Sequence, residues 1–210
     1  NQYQNASNIS ARIQLHNKYS TNTQGWFPWI FDQCHMAEHS TVLEIGCGDG
    51  SLWLENKEKI PKQLHVVLSD ISEGMLRDTR RAIHANVKTA RFDFQVFDCE
   101  RIPYPDNSFD LVIANHILFY CKNLTSVFEE ISRVLKTGGT FVCSTYGAAH
   151  MKEINELVSE FDDRIVLSAD RLFERFGKEN GADLLAPYFQ NIKWLSYEDS
   201  LHVTEPETLI

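Results

Sequence analysis

The sequence predicts an α/β fold in which a doubly wound, mostly parallel sheet forms the middle layer of a three-layer αβα sandwich. Short apolar strands alternate with helical segments along most of its 210 residues, which is the order produced by right-handed βαβ crossovers. Residues 109–114 are almost continuously apolar, as expected for a strand buried on both faces of a parallel sheet. The length and the 43% of hydrophobic residues predict one main domain.

Five strands are predicted from runs of β-branched and aromatic residues bounded by turn residues. They cover residues 41–45, 65–69, 92–97, 109–114 and 140–145. Ser72 is a suitable N-cap for a helix over 72–85, between the second and third strands. Apolar residues from Leu124 to Leu135 recur at helical spacing, and Gly138 and Gly139 are expected to end that helix.

Further elements are predicted at both ends of the chain. Apolar and aromatic residues at helical intervals predict two short helices over 8–18 and 28–36. We therefore expect residues 1–40 to form an N-terminal helical lid and residues 41–210 to form the main domain. After the fifth strand, the pattern predicts helices near 151–161 and 172–176 and a late strand over 192–203.

Charge and cysteine content disfavour several classes of protein. The net charge of −9 disfavours nucleic-acid binding, because a polyanion would meet a repulsive average field. No apolar run reaches the roughly 18–20 residues that span a bilayer, so neither a membrane protein nor an exported precursor is predicted. The five cysteines are scattered without zinc-ligand spacing, which predicts no metal site and a reduced, cytoplasmic environment.

The glycine-rich turn after the first strand is the first candidate ligand site, since ligands bind beyond the carboxyl ends of strands in open parallel sheets. Gly46, Gly48 and Gly50 form a Gly-x-Gly-x-Gly turn, with Glu44 two positions before it. This pattern alone is equally typical of a tight strand-to-helix connection. Asp70 ends the second strand, where an acidic residue accepts hydrogen bonds from ribose hydroxyls, and its presence favours a nucleoside ligand.

Several motifs in register resemble the class I S-adenosylmethionine-dependent methyltransferases of the small-molecule type. Residues 42–50, Val-Leu-Glu-Ile-Gly-Cys-Gly-Asp-Gly, are similar to the family's first motif, and residues 68–76 resemble its acidic second motif. Residues 98–112 resemble the recurrent stretch that runs from the third strand into the fourth. The resemblance covers about residues 41–147 and implies a Rossmann-like fold with S-adenosyl-L-methionine as cofactor.

The resemblance also implies roles for individual residues. Asp70 would hold the ribose hydroxyls, with Ile71 packed on the adenine. Asp98 would accept from the adenine amino group, while the Cys99 backbone N–H reaches a ring nitrogen, and Asn115 would border the methionine portion and the substrate. The full set expected to bind the cofactor is Glu44, Gly46, Cys47, Gly48, Gly50, Asp70, Ile71, Met75, Asp98, Cys99, Asn115, Tyr19 and Trp26.

The segment before the first strand resembles the helical lid of small-molecule methyltransferases. Tyr19 and Trp26 are expected to close over the cofactor, with Arg12 or Tyr19 near its carboxylate. The alternative is that these aromatic rings pack the lid against the sheet edge.

Methyl transfer from a sulfonium needs mainly an aligned nucleophile at about 3–3.5 Å and exclusion of water, so no catalytic side chain is obligatory. If the acceptor must lose a proton, His116 is the candidate base, with Tyr120 and Tyr146 as weaker alternatives. Packing or capping at a helix start is the other interpretation of His116. After the fourth strand the chain lacks the Asn/Asp-Pro-Pro-Tyr motif of protein and nucleic-acid amino methyltransferases, which predicts a small-molecule acceptor.

Two functions compete with methyl transfer to a small-molecule O, N or C nucleophile. A nicotinamide-dependent oxidoreductase shares the fold class, but its Gly-x-Gly-x-x-Gly fingerprint requires glycine where Ser51 stands. A non-catalytic methyltransferase-like binding module would keep the same site residues without turnover. The family usually ends with a sixth and a seventh strand, and residues 192–203 can serve only as the sixth. We therefore expect the domain to lack its last helix and strand.

Overall fold

A five-stranded sheet organises the computed structural model, which describes residues 16–161 and 171–205. All its strands are parallel, in the order β3-β2-β1-β4-β5. The strands are β1 (Thr41–Ile45), β2 (His65–Asp70), β3 (Arg91–Val96), β4 (Phe109–Asn115) and β5 (Leu135–Ser144). The predicted doubly wound, Rossmann-like sheet is confirmed, and its strand order reverses between β1 and β4, where such folds bind ligands.

Helices lie in the connections between the strands and beyond them. They are α1 (Trp26–Gln33), α2 (Ser51–Leu54), α3 (Glu73–Asn86), α4 (Leu124–Val134), α5 (Lys152–Phe161), α6 (Leu172–Arg175) and α7 (Gly181–Leu185), with a 3-10 helix at Leu118–Tyr120. The Ser72 hydroxyl caps α3 by accepting from the Met75 N–H at 3.3 Å, as the sequence predicts. Residues 16–19 are also helical, while the rest of the helix predicted over 8–18 lies outside the described residues.

Strand alternation divides the core into two layers, one on each face of the sheet. Leu43 and Ile45 of β1 pack with the buried side of α4 in one cluster. Val42 of β1 packs with residues of α1 and α3 in the other. The sheet is therefore covered on both faces, which is the predicted three-layer sandwich. In the described part of the chain, no helix is long and apolar enough to cross a membrane.

The prediction of a strand over residues 192–203 is wrong. These residues add no strand to the sheet, and one antiparallel bridge joins Leu201 to Ser20. The His202 N–H donates to the Tyr19 carbonyl at 2.8 Å, and the Thr21 N–H donates to the Ser200 carbonyl at 2.9 Å. The segment instead lies along the N-terminal arm through these few contacts, and its apolar residues Ile192, Trp194 and Leu195 stay about 40% exposed.

The boundary between α4 and β5 also differs from the prediction. The helix ends at Val134, and β5 begins immediately at Leu135 instead of after Gly138 and Gly139. The sheet register shifts here, since Phe109 pairs with Leu135 while Leu111 pairs with Thr140. The two glycines therefore lie in an irregularity of the strand, where Gly138 has a φ of +80°. The short helix α7 was not predicted.

Candidate functional site

The turn from β1 into α2 brings the backbone close to two neighbouring elements. Gly46 has a φ of +68°, and a Cβ there would collide with the Ile117 side chain. Gly50 has a φ of +78°, and a Cβ there would lie 2.8 Å from the Thr79 methyl group. A Cβ on Gly48 would meet no atom within 4 Å. The first and last glycines are thus required by packing, while the middle one borders open space that a ligand can approach.

Asp70 ties this turn to the end of β2. Its Oδ2 accepts from the Gly48 N–H at 3.2 Å, and its Oδ1 accepts from the Ser72 N–H at 2.8 Å. Partial burial raises the pKa of the Asp70 carboxyl, and the two backbone N–H groups act in the opposite direction. The Thr79 hydroxyl fixes the same turn by donating to the Gly48 carbonyl at 2.5 Å. The carboxylate is therefore held at the rim of the turn by donors on both sides.

The next stretch of the sheet edge combines an exposed apolar side chain with polar backbone. Ile71 is 72% exposed, which is unusual for a large aliphatic residue beside a structured turn. Asp98 is exposed, and its Oδ1 accepts from the Glu100 N–H at 3.0 Å. Cys99 is partly buried beside it, and Met75 is buried at the start of α3. This surface offers an apolar platform and hydrogen-bonding groups to a flat ligand.

Glu44 is buried beneath the turn and has a partner inside the protein. The Trp53 indole N–H donates to its Oε2 at 2.6 Å. Burial raises the pKa of Glu44 to about 8, with further increases from Asp49 and Asp70 and a decrease from the Trp53 hydrogen bond. Cys47 is buried nearby, and burial raises the pKa of its thiol. Both side chains support the turn from within.

Asn115 at the end of β4 is oriented by the end of β5. The Ser144 hydroxyl donates to Asn115 Oδ1 at 2.6 Å and accepts from the His116 backbone N–H at 3.0 Å. The Asn115 oxygen is thereby engaged, and its NH₂ group is left to donate toward the site. His116 has a φ of +55°, a conformation that few non-glycine residues adopt, and the Ser144 hydrogen bond helps to hold it.

Aromatic rings form the other side of the site. The His116 ring packs on Trp26 with centroids 4.8 Å apart, and Trp26 also contacts Trp29 at 5.5 Å and Tyr197 at 5.3 Å. Burial, with smaller effects from His150 and His16, lowers the pKa of His116 to about 4. The ring is therefore neutral at pH 7. It is also a weak base, because a base with so low a pKa gains little driving force for proton abstraction.

The Trp26 indole carries an unused donor at this position. Its Nε1 is buried and has no hydrogen-bond partner among the described residues. A buried N–H without an acceptor is costly, so this atom fits a site whose acceptor arrives with the ligand. Tyr19, in contrast, is only 5% exposed and belongs to the core, and Arg12 lies outside the described residues.

Most of the predicted site residues border one continuous depression at the carboxyl edge of the sheet. These are Trp26, Glu44, Gly46, Cys47, Gly48, Asp70, Ile71, Met75, Asp98, Cys99, Asn115, His116, Tyr120 and Tyr146. Gly50 and Tyr19 are absent from its lining, because Gly50 packs on α3 and Tyr19 is buried. Ser144 was missed, although its position at the end of β5 is a signal that sequence reasoning can use. The described residues hold no group of His, Cys, Asp and Glu arranged for a metal ion.

Comparison with known proteins defines the class to which this site belongs. Residues 43–143 match a family described as "Methyltransferase domain". A demethylmenaquinone methyltransferase of Symbiobacterium thermophilum is 32% identical over 118 residues, which cover 56% of this chain and 47% of that protein. A malonyl-[acyl-carrier protein] O-methyltransferase of Nitrosospira multiformis is 30% identical over 135 residues, covering 58% of this chain and 44% of the relative.

A solved structure shows the same fold. Phosphoethanolamine N-methyltransferase 2 of Haemonchus contortus, in complex with S-adenosyl-L-methionine, gives a TM-score of 0.61 at 21% identity, covering 88% of this chain and 41% of that one. The chain spans about half the length of the curated relatives it matches. The family match over residues 43–143 and the relatives support a class I S-adenosylmethionine-dependent methyltransferase.

Replacing Glu44 with glutamine is expected to remove a pH-dependent penalty on folding. The pKa of Glu44 is about 8 in the folded chain and 4.5 in its ordinary state, so between these values the folded state retains a proton that the unfolded state releases. The free energy of unfolding of the wild type therefore falls as pH rises from 4.5 to 8. Glu44→Gln keeps an acceptor for Trp53 and cannot ionise, so its advantage over the wild type should grow across this window.

Urea unfolding at pH 5, 6.5 and 8 measures this difference, with Glu129→Gln on the exposed side of α4 as the matched control. If the free energies of unfolding of the wild type and of Glu44→Gln changed in parallel with pH, the raised pKa of Glu44 would be contradicted.

Removing the Ser144 hydroxyl is expected to destabilise the end of the sheet. Ser144→Ala leaves the Asn115 oxygen and the His116 N–H without their partner, which should lower the free energy of unfolding by about 1–3 kcal/mol. Ser144→Thr retains a hydroxyl and should recover most of that loss. Urea unfolding of the two variants checks the prediction, and equal stabilities for alanine and threonine would show that the hydrogen bonds are not the cause.

Proposed function

We propose that this protein transfers the methyl group of S-adenosyl-L-methionine to a small-molecule O, N or C nucleophile by in-line displacement. The observation that carries the proposal is the turn at Gly48, which borders open space and is held against the Asp70 carboxylate. The family match favours this reaction over hydride transfer to a nicotinamide. Turnover by the whole protein is part of the proposal.

Several features of the structure fit the cofactor. Gly48 leaves room for the ligand to approach the backbone. Asp70 stands at the rim with a carboxylate suited to ribose hydroxyls, and Ile71 provides an exposed apolar surface for the adenine. Asp98 and the Cys99 N–H lie next along the edge and would recognise the adenine nitrogens. The Trp26 indole N–H, for which the described residues provide no acceptor, would donate to a polar group of the ligands.

The proposed chemistry asks little of the protein beyond binding and alignment. The cofactor supplies an electrophilic methyl group when bound. Asn115, oriented by Ser144, would donate from its NH₂ group to the methionine portion or the acceptor. The rings of Trp26 and His116 would exclude water from the line of attack. In such a displacement, exclusion of water contributes more to the rate than a catalytic base does. We assign His116 mainly a packing role. We propose that Tyr120 and Tyr146 lie on the side of the site that binds the methyl acceptor.

The acceptor is proposed to be a small molecule with an apolar or aromatic portion. Phe119 and Tyr146 pack with centroids 5.1 Å apart beside His116, and they extend the aromatic surface begun by Trp26. The relatives' names include a C-methyltransferase for quinone biosynthesis and an O-methyltransferase, so neither acceptor atom is preferred.

We further propose that the segment through residue 40 acts as a lid. The described cysteines form no disulfide with one another. We propose that the protein works in the cytoplasm and has no nucleic-acid partners.

Calorimetric titration with S-adenosylhomocysteine and, separately, with NAD tests the cofactor. We expect one-to-one binding of S-adenosylhomocysteine only. Asp70→Asn should weaken it roughly a hundredfold, because two hydrogen bonds from the ribose to a charged acceptor are lost. Asp78→Asn, on the exposed side of α3, is the matched control and should bind like the wild type. Binding of NAD in place of S-adenosylhomocysteine would overturn the proposal, and labelled product formation separates an enzyme from a binding module.

The protonation state of His116 tests whether it packs or acts as a base. Its pKa of about 4 means that the ring stays neutral from pH 8 down to about pH 5. Histidine NMR titration, with the signal assigned by its absence in His116→Gln, should show one imidazole without a transition in this range. A midpoint near 6.5 would instead identify a titrating base.

A further inference from the structure

Two cysteine thiols meet at the adenine end of the candidate site. The Cys99 and Cys121 sulfurs are 3.4 Å apart, although the residues are 22 positions apart in the chain. Cys99 follows β3, and Cys121 follows the 3-10 helix at Leu118–Tyr120. Both residues line the depression that holds the other site residues. At 3.4 Å the two sulfur atoms are in direct contact.

The loops that carry the two cysteines are tied together next to the sulfurs. Glu100 Oε1 accepts from the Lys122 N–H at 3.1 Å and from the Asn123 N–H at 2.9 Å. These hydrogen bonds join the residue after Cys99 to the two residues after Cys121. A disulfide requires a sulfur separation of about 2.05 Å, so the two sulfurs need to move only a short distance toward each other. The hydrogen bonds from Glu100 already hold the two loops side by side.

The remaining cysteines have different surroundings. Cys34 and Cys47 are buried and Cys143 is partly buried, and none of the three has a second thiol at hydrogen-bond distance among the described residues. Burial raises the pKa of all three thiols, to about 12 for Cys34 and Cys143. The hydrogen bond that the Cys121 thiol shares with Cys99 lowers its pKa, against the raising effect of burial, and Arg175 lowers it slightly more. Thiolate character makes a cysteine the attacking group in redox reactions. Reactivity is therefore expected at this pair.

We propose that Cys99 and Cys121 form a reversible disulfide in response to hydrogen peroxide, and that this bond weakens cofactor binding. The Cys121 thiolate attacks one peroxide oxygen, becomes a sulfenic acid and releases hydroxide, which takes up a proton to form water. The Cys99 thiol then attacks the Cys121 sulfur, and the sulfenic oxygen leaves as a second water. The two thiols lose two electrons in total, and the peroxide is reduced to two waters.

The effect on cofactor binding rests on the proposed function. Asp98 and the Cys99 N–H are the groups proposed to recognise adenine, and the disulfide would draw their turn toward Cys121. Loss of one such hydrogen bond corresponds to about tenfold weaker binding. Bound S-adenosylhomocysteine should in turn disfavour disulfide formation by the same factor, since the coupling between two such equilibria is reciprocal.

Peroxide treatment followed by thiol blocking and non-reducing tryptic mapping tests the bond itself. We expect a linkage between peptides 92–101 and 102–122, a fall from five titratable thiols in the denatured chain to three, and full recovery with dithiothreitol. Cys99→Ser and Cys121→Ser should each abolish the linkage, while Cys34→Ala, in the core layer on the other face of the sheet, should keep it. Peroxide that leaves all five thiols free, or oxidises other cysteines first, would overturn the proposal.

Calorimetric titration of S-adenosylhomocysteine into reduced and oxidised protein tests the consequence. About tenfold weaker binding after oxidation, reversed by dithiothreitol and absent in Cys121→Ser, supports it. A mapped disulfide with unchanged affinity would overturn the control of binding. A reduced wild type that does not bind S-adenosylhomocysteine would overturn the proposed function, while the peptide map would still decide whether the thiol pair reacts.

Discussion

The hydrogen bond from the Gly48 N–H to the Asp70 carboxylate is the contact on which the site depends. It joins the turn after β1 to the end of β2, and the same carboxylate continues to Ser72 at the start of α3. A parallel sheet alone places its strand ends at one edge without fixing the loops that leave them. Here the Asp70 side chain holds the turn after β1 and the start of α3 in place. The backbone of the turn at Gly48 is thereby kept at the edge of the open space.

The strands and main helices were predictable because each has a local cause. The apolar runs of β1, β2 and β4 can be buried only in a covered sheet, and Ser72 shows where α3 begins. Residues 192–203 show the limit of this reasoning. Alternation reveals that one side of a segment is covered, but it does not say whether the partner is a sheet or an irregular arm. The early start of β5 depends on a register shift opposite Phe109, which no local pattern encodes.

Positions in the site were likewise easier to predict than contacts. A motif in register locates Glu44 and Cys99, but the partners of these residues come from elsewhere in the chain. Glu44 meets Trp53 beneath the turn, and Cys99 meets Cys121 across two loops. Such pairs depend on how the connections cross the sheet edge, which the order of elements leaves undetermined.

The carboxylates around the turn also bear on the charge of the proposed ligand. Asp49 and Asp70 are close enough to Glu44 to raise its pKa, so the region carries a concentrated negative field. A sulfonium is a cation, and the product of methyl transfer has lost that charge. Under the proposed function, such a field would favour binding of the positively charged sulfonium cofactor over the product that has lost that charge.

The contact between residues 19–22 and 198–202 has a consequence for how the folded chain opens. One Asp199 oxygen accepts from the Ser20 hydroxyl and the Asn22 N–H, across 179 and 177 positions of sequence, and these atoms are largely exposed. Closing so long a loop costs more entropy than pairing neighbouring strands, and exposed hydrogen bonds return little of it. We therefore expect local unfolding to begin at this contact between residues 19–22 and 198–202 while the sheet stays intact. Tyr197 lies next to this contact in the chain and packs on Trp26 with ring centroids 5.3 Å apart, so opening of the contact would loosen the aromatic side of the candidate site.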